Sequence, residues 1–446
     1  MGHFYQKTCR LAVACILVIA IYKCNIQKRR KVMATFLILL EWLKKKQKNI
    51  LLIFALCFWV AAIGYSLYLD DRLPYPDERW YFNDYAQNLA NQSIFSRDGI
   101  NPTAFHPPAY PLALSGLVSI GLGITAARLM NFLAFFVTLI SLYFLLKNHS
   151  HKLASIIVVL LALAYPVLFY TAGTLYPQTF GATFFILAIM FYWKEPLAIK
   201  DAVLAGISMG IAILTIPTFL FVPFFMVLFS LIFRRNIIKQ AVLLLIMVFI
   251  TIAPWTIRNY LVFHRFELVS SNFGTNFLLG NSPQTTPNNG PAASIGIQHI
   301  IEEANSLGLD EFERDEFYTQ QALVFIQADP IHYISLYFLK VVNYFNFRNE
   351  LLTASESSLA KDFLMLVTYG SFLLLAVFRI LLIHQKHLTK LEIFMILLYI
   401  GSAFVSALAF SRIRYRLPFD YLLIIQVSIF LETMLNNYKL FKMKED

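Results

Sequence analysis

Apolar runs near twenty residues long, broken by short basic clusters, recur from residue 50 to residue 434 of this 446-residue chain. A helix needs about 20 such residues to cross the hydrocarbon core of a bilayer. The candidate spans are 50–69, 126–146, 153–171, 177–193, 238–256, 361–383, 391–410 and 419–434. The stretch 201–233 is apolar throughout, with Pro217 and Pro223 inside it, and is long enough for two short spans joined by a turn near Thr215 and Thr218. The expected fold class is therefore an all-α polytopic membrane protein with about ten transmembrane helices. Composition agrees: 58% of residues are hydrophobic and 14% charged, where a soluble domain carries about 25% charged residues. That balance excludes a cytosolic globular enzyme, a disordered chain and an ordinary nucleic-acid binder. Cys9, Cys15, Cys24 and Cys57 all lie near the N-terminal end, so they offer neither a disulfide framework nor a zinc ribbon.

The net charge of +11 carries topological information, because Lys and Arg concentrate in cytoplasmic loops. Lys44-Lys45-Lys46-Gln47-Lys48 precedes the first clear span, which puts that side in the cytoplasm and residue 70 onward outside. The run 107–124 is apolar but contains Pro107, Pro108 and Pro111. If it lies in the interface or re-enters, the basic clusters at 147–152, 194–200, 234–239, 379–390 and 439–444 all become cytoplasmic; if it spans, all five are reversed. We therefore expect an interfacial or re-entrant helix there. The chain then divides into a cytoplasmic N-terminal segment 1–49, a core 50–256 that includes a first external loop 70–125, an external loop 257–360, and C-terminal helices with a basic tail over 361–446. Residues 11–22 are too short an apolar run for a normal span and lack a small-residue cleavage site, and Met33 opens a conventional start. Residues 1–32 are expected to be an over-extended start or a weak extra anchor.

Asp70, Asp71, Asp77, Glu78 and Asp84 crowd the first external loop together with Arg72 and Arg79. Pro76 followed by two acids favours a helix start. At 100° per residue Asp77, Trp80, Tyr81, Asp84 and Asn88 share one face, while Phe82, Tyr85 and Leu89 share another. The residues alone leave two readings open: an acidic first turn that complements the helix dipole, or a carboxylate held at the membrane as a general base. His106, in Phe105-His106-Pro107-Pro108-Ala109-Tyr110-Pro111-Leu112, is the group there that titrates near neutrality. A structural and a catalytic role both suit it.

These runs resemble the first external loop of GT-C glycosyltransferases, in particular the protein mannosyltransferase-like and lipid A aminoarabinose transferase-like branch, glycosyltransferase family 39 and kin. The resemblance continues through Ala127-Arg128-Leu129-Met130-Asn131, Leu175-Tyr176-Pro177-Gln178, Ala253-Pro254-Trp255-Thr256-Ile257-Arg258-Asn259-Tyr260, the later Gly274-Thr275-Asn276 and Gly280-Asn281, and Arg414-Tyr415-Arg416-Leu417-Pro418. It covers roughly 50–434 and leaves 1–45 unexplained.

The resemblance implies a GT-C-like bundle with interfacial helices in its external loops. It also implies an enzyme that moves a sugar from a polyprenyl-phosphate donor to an acceptor hydroxyl outside the membrane, inverting the anomeric carbon. Asp77 looks like the family's first-loop carboxylate and thus the base, with Glu78 orienting the acceptor or the base. Arg258 and Arg416 are expected to bind the lipid phosphate, with Arg414 and Arg79 as further candidates and His106 and Tyr81 completing the substrate-facing set. Anchoring to lipid headgroups is the plainer alternative for the arginines. The acceptor class stays open among lipid, glycan and protein; membrane lipids are partners and nucleic acid is not. Gln178 stands where the family often has an acid, which weakens the case for a metal between loop carboxylates, so no cofactor is assigned and a divalent cation is left open. His384 and His387 have ligand-like spacing but sit in a basic cytoplasmic loop.

Residues 270–296, rich in Ser, Asn, Gly and Pro, read as irregular coil forming a flap, and 309–347 reads as helices of scaffold or lid type, the second lying flat on the membrane. The competing function is a lipid-linked sugar or oligosaccharide flippase, which should show more ionisable residues inside its spans.

Overall fold

The computed structural model describes residues 47–288, 296–348, 358–383 and 386–445, with side chains through residue 436. The expectations for residues 1–46, for His384 and for part of the 270–296 flap lie outside those residues. The chain divides into two units. Met1–Trp59 with Asn437–Asp446 contributes, among the described residues, the first turns of helix Gln47–Leu69 and the last turns of helix Ile413–Glu445. Val60–Asn436 holds all that follows.

The apolar runs fold as helices, and no strand occurs among the described residues. The protein is an all-helical, multi-pass membrane protein. Asn49–Leu69, Ile124–Asn148, Arg235–Phe263, Leu359–Leu381 and Ile413–Asn436 are each long and apolar enough to cross a bilayer, giving five candidate spans among the described residues, or up to seven if each of two bent helix pairs is one span. Other expected spans are shorter helices, among them Pro177–Tyr192 and Lys390–Ser406. The run at 107–124 yields only the 11-residue helix Ala109–Ser119, about 16 Å long at 1.5 Å per residue and too short to span.

Prolines set the breaks. Tyr165, extended ahead of Pro166, separates Ala154–Leu163 from Pro166–Ala172, which meet at 65°. Ile216 is likewise extended ahead of Pro217 and forms the corner between Ile199–Ile213 and the 217–233 helix, at the turn the sequence indicates. A residue before proline is pushed out of the helical region by the pyrrolidine ring.

Helix Ile199–Ile213 lies closely on helix Ile238–Phe263 through Gly206 and Gly210, spaced four apart on one face. A Cβ at Gly206 would meet the Leu244 carbonyl oxygen at 2.6 Å, and one at Gly210 would meet Thr251 Cβ at 2.5 Å. Small residues at this spacing let membrane helices approach closely. Gly206→Leu should therefore destabilise the protein by at least about 1–3 kcal/mol through overpacking, read as a lower Tm in detergent; an unchanged Tm would contradict this contact.

Two buried ion pairs lie in the bundle. Arg416 and Asp420, both about 1% exposed, form an ion pair of 3.0 Å one turn apart. Asp420 also accepts hydrogen bonds from Tyr165 and Tyr399 at 3.0 Å each, and Arg416 donates to the Tyr344 carbonyl at 2.7 Å and lies 3.5 Å from the Tyr369 ring centroid. Arg379 pairs with Glu392 at 2.8 Å, while Glu392 completes a capping box with Thr389.

Two expectations need correction. The first-loop segment runs as Pro76–Arg79, a π-helical stretch Trp80–Ala86, then Gln87–Gln92. The wider π turn means that one 100° register does not hold through residue 86; Tyr81 is buried with Phe82 and Tyr85 while staying beside Asp77. The 270–296 segment is not all coil: Phe273–Gly280 is a helix packed on Glu311–Ala328, with Leu278 in a shared core with Tyr318 and Ala322. The apolar Phe277, Leu278 and Leu279 supply its packing side despite the Asn- and Gly-rich composition around them. The expected helices of 309–347 form as Glu311–Ala328 and Pro330–Tyr344, meeting at 110°.

Candidate functional site

Asp77 and Glu78 are neighbours in sequence and diverge in space. Glu78, 1% exposed, accepts from the Tyr75 amide at 3.0 Å, as the acid of a capping box, and from the Leu175 amide at 2.9 Å. It ties the first loop to the turn before helix Pro177–Tyr192. Burial pushes its pKa up, while the two amide hydrogen bonds oppose that shift. Arg128 reinforces the same entry: its buried guanidinium donates to the carbonyls of Asp70 and Arg72. Pinned on both sides, the helix start turns Asp77 the other way.

Asp77 meets Arg414, which lies 337 residues on, at the start of the last helix. Arg414 Nη1 donates to Asp77 Oδ2 at 2.7 Å, with side-chain exposures of 34% and 24%. Arg414 Nη2 donates to the Tyr415 hydroxyl at 2.8 Å, and the guanidinium sits 5.7 Å from the Tyr176 ring centroid. Its Nε has no hydrogen-bond partner among the described residues. A carboxylate and a guanidinium thus sit side by side, partly open to the surroundings and backed by tyrosines.

His106 borders this pair. Its Nδ1 is 2.9 Å from the Tyr85 hydroxyl, and its ring meets Tyr81 edge-on at 5.4 Å. Burial lowers its pKa to about 4, the largest cause; Asp77 opposes the shift, and Arg97 and Arg414 add to it. His106 is therefore neutral at pH 7 in the folded protein. The sign follows from linkage: below the ordinary histidine value of about 6.5 the unfolded chain binds the extra proton first. Stability should fall as pH drops from about 6.5 toward about 4. His106→Gln should flatten that part of a Tm-against-pH curve, and an identical slope in the variant would refute the assignment.

The other predicted residues lie elsewhere. Arg79 is exposed and donates to the Leu73 carbonyl at 3.1 Å. Arg416 belongs to the buried pair with Asp420. Arg258 is half-buried between the rings of Trp255 and Phe263 and donates to the Thr103 carbonyl at 3.0 Å and to Asn259 Oδ1 at 3.0 Å. Around it the Ala-Pro-Trp motif acts as a ladder. Trp255, Thr256 and Asn259 donate to the carbonyls of Val269, Leu268 and Glu267 at 2.7, 2.9 and 3.1 Å, laying the returning chain along the helix. Gln178 lines a small cavity with Thr171, Thr179 and Tyr421, its Oε1 buried and unpartnered among the described residues. No three His, Cys, Asp or Glu side chains gather to hold a metal among the described residues.

Sequence reasoning passed over Asp420, Arg128 and Glu311. The i, i+4 spacing of Arg416 and Asp420 was a readable signal; the long-range contacts of Arg128 and Glu311 had none.

Residues 105–257 match the family of dolichyl-phosphate-mannose-protein mannosyltransferases. No curated protein matches the chain. Among solved structures it is similar to ArnT from Cupriavidus metallidurans bound to undecaprenyl phosphate, at 15% identity and a TM-score of 0.40, covering 84% of this chain and 77% of that one. It is also similar to the same protein in the apo state, at 14% identity and a TM-score of 0.38 over the same shares. Neither likeness assigns a role to any residue here. The family match covers about a third of the sequence and includes both the His-Pro-Pro-x-Tyr-Pro run and the Ala-Pro-Trp element; over residues 105–257 the chain is similar to that mannosyltransferase family.

Proposed function

We propose that the protein is an inverting glycosyltransferase that takes a sugar from a polyprenyl-phosphate donor and gives it to an acceptor hydroxyl on the extracytoplasmic side, in a bacterial inner membrane. The observation that carries this reading is the Asp77–Arg414 pair at 2.7 Å. The two groups supply opposite ends of the reaction. Asp77 takes the proton of the acceptor hydroxyl; the oxygen then attacks the anomeric carbon from the face opposite the phosphate. The bond from that carbon to the phosphate oxygen breaks, and the lipid phosphate leaves with its added negative charge. Arg414 meets that charge with its partly exposed guanidinium. In the substrate-free state the guanidinium screens Asp77; when a phosphate draws it aside, the carboxylate becomes free to act as base.

The remaining candidates take supporting parts. Glu78 fixes the angle of the loop rather than touching substrate, because amide donors occupy both of its oxygens. Tyr81 and His106 form the wall beside Asp77. Arg258 keeps a phosphate role only if donor binding breaks its bond to Thr103. Arg416 is a packing residue rather than a phosphate ligand, given its 1% exposure and its pair with Asp420. Against a flippase, the ionisable groups Asp420, Glu392 and Glu432 are each tied to a protein partner instead of lining a path.

The test is mass spectrometry of membrane glycolipids from host cells with and without the gene. Deletion should cause a polyprenyl-phosphate sugar to accumulate, and that species identifies the donor. A lipid profile unchanged by deletion in a host without a second such enzyme would reject the reading.

A further inference from the structure

The segment just ahead of His106 is held from the other loop. Glu311, the first residue of helix Glu311–Ala328, does not cap its own helix; Asp310 does that, accepting from the amides of Phe312 and Glu313. The Glu311 carboxylate instead reaches across 207 positions of sequence. Its Oε1 accepts from the Ala104 amide at 2.9 Å and from the Ser271 hydroxyl, and its Oε2 accepts from the Thr103 hydroxyl. Thr103, Ala104 and Ser271 are all buried. The same segment is held on its other sides. Arg258 donates to the Thr103 carbonyl at 3.0 Å, the Ser271 amide donates to the Ala104 carbonyl at 3.0 Å, and the Phe105 amide donates to Thr103 Oγ1 at 3.0 Å.

One carboxylate therefore gathers three chain segments: the first loop at 103–104, the returning segment at 271 and the start of the 311–328 helix. The next residues after this knot are Phe105 and His106; the His106 ring meets Phe105, Tyr81 and Tyr85 edge-on and Trp80 at a tilt, beside Asp77. The rigid Pro107-Pro108 pair follows at once, so His106 has little freedom between the knot and the prolines.

We propose that Glu311 is a positioning residue for the candidate site: it couples the 257–360 loop to the first loop and fixes the register in which the His106 wall meets Asp77. This rests on the transferase reading for its catalytic consequence but not for its structural one. The Arg258 guanidinium, close enough to feel the Glu311 charge, completes the clamp from the helix side.

The experiment compares full-length wild-type protein with Glu311→Ala, Glu311→Gln, Thr103→Val and the double variant Glu311→Ala/Thr103→Val. Amide hydrogen exchange is read at Ala104 and Ser271, and transfer is read with the polyprenyl-phosphate sugar that accumulates on deletion. Glu311→Ala should speed exchange at both amides and lower kcat by up to about 10²-fold, the cost of roughly 1 Å of misplacement near reacting groups. Donor KM should stay within about twofold, as for a group that does not touch the donor. Glu311→Gln, which keeps an acceptor oxygen, should recover part of the loss. The double variant should be no worse than Glu311→Ala, because both remove one knot. Unchanged exchange at Ala104, a loss confined to KM, or multiplicative effects in the double variant would each overturn the proposal. If Glu311→Ala does not fold, Ser271→Ala removes a single bond of the knot and should show the same pattern weakly; its absence overturns the proposal as well. If wild-type protein consumes no such donor, the transferase reading fails by itself, and the exchange data still decide whether Glu311 holds the loop.

Discussion

Asp77→Asn should lower transfer to about 1% of the wild-type rate or less, a loss of at least about 10²-fold expected when a general base is removed. The substitution keeps size and shape and removes the basic carboxylate. It also weakens the partner of Arg414, so the variant separates two readings of the pair. If Asp77 serves only to hold Arg414, then Asp77→Asn, whose amide oxygen can still accept from Nη1, should retain most of its activity. If Asp77 is the base, it should not. Arg414→Gln is the complementary arm: it should raise donor KM and lower kcat together, because the guanidinium meets a phosphate whose charge grows in the transition state. In cells, Asp77→Asn should accumulate the same donor lipid as the deletion. Accumulation in the deletion but not in Asp77→Asn would remove the base assignment and favour a carrier that needs no acid at that position.

Much of the fold is legible in the chain because a bilayer imposes a length and polarity that few sequences meet by accident. The 199–213 and 217–233 hairpin follows from Pro217, whose ring forces Ile216 out of the helix. The short helix at 109–119 follows from three prolines and from the basic clusters that a full span would have put on the wrong side. The site was half legible. Asp77 stands out as an acid after a helix-starting proline, but no local rule says that its partner is Arg414 or that Glu78 turns inward to Leu175. Those contacts link positions 97 and 337 residues apart, set by how helices pack and not by spacing along the chain. The π turn at 80–86 was hidden for a related reason: one inserted residue rotates the side chains that follow it, and nothing in Trp-Tyr-Phe-Asn-Asp-Tyr-Ala announces it.

Arg414 and Arg416 show the limit most clearly. Read as a motif they form one basic element, yet residues two apart on a helix point about 200° from each other. Arg414 faces Asp77, and Arg416 faces the bundle and Asp420.

That division predicts opposite phenotypes for the two arginines, and Asp420 is the lever. Asp420→Ala leaves the Arg416 charge buried with carbonyls as its remaining acceptors, leaves the Tyr165 hydroxyl without its acceptor and leaves Tyr399 with the Tyr369 hydroxyl alone. Removing one partner of a buried ion pair typically costs about 3–5 kcal/mol, a large share of the roughly 5–15 kcal/mol that stabilises a domain. Asp420→Ala should therefore be poorly folded, seen as a lower Tm in detergent and aggregation on gel filtration. Replacing both members, Arg416→Met with Asp420→Leu, removes the uncompensated charge and should regain most of the stability, since an apolar pair of similar volume is often no worse than a buried ion pair. The rescued protein then judges Arg416 directly. As a packing residue, its loss in that background leaves donor KM near wild type. If the double variant is folded but binds donor tenfold or more weakly, about 1.4 kcal/mol or more of lost binding energy, Arg416 reaches the lipid phosphate, and the bundle must open around the Asp420 pair during turnover.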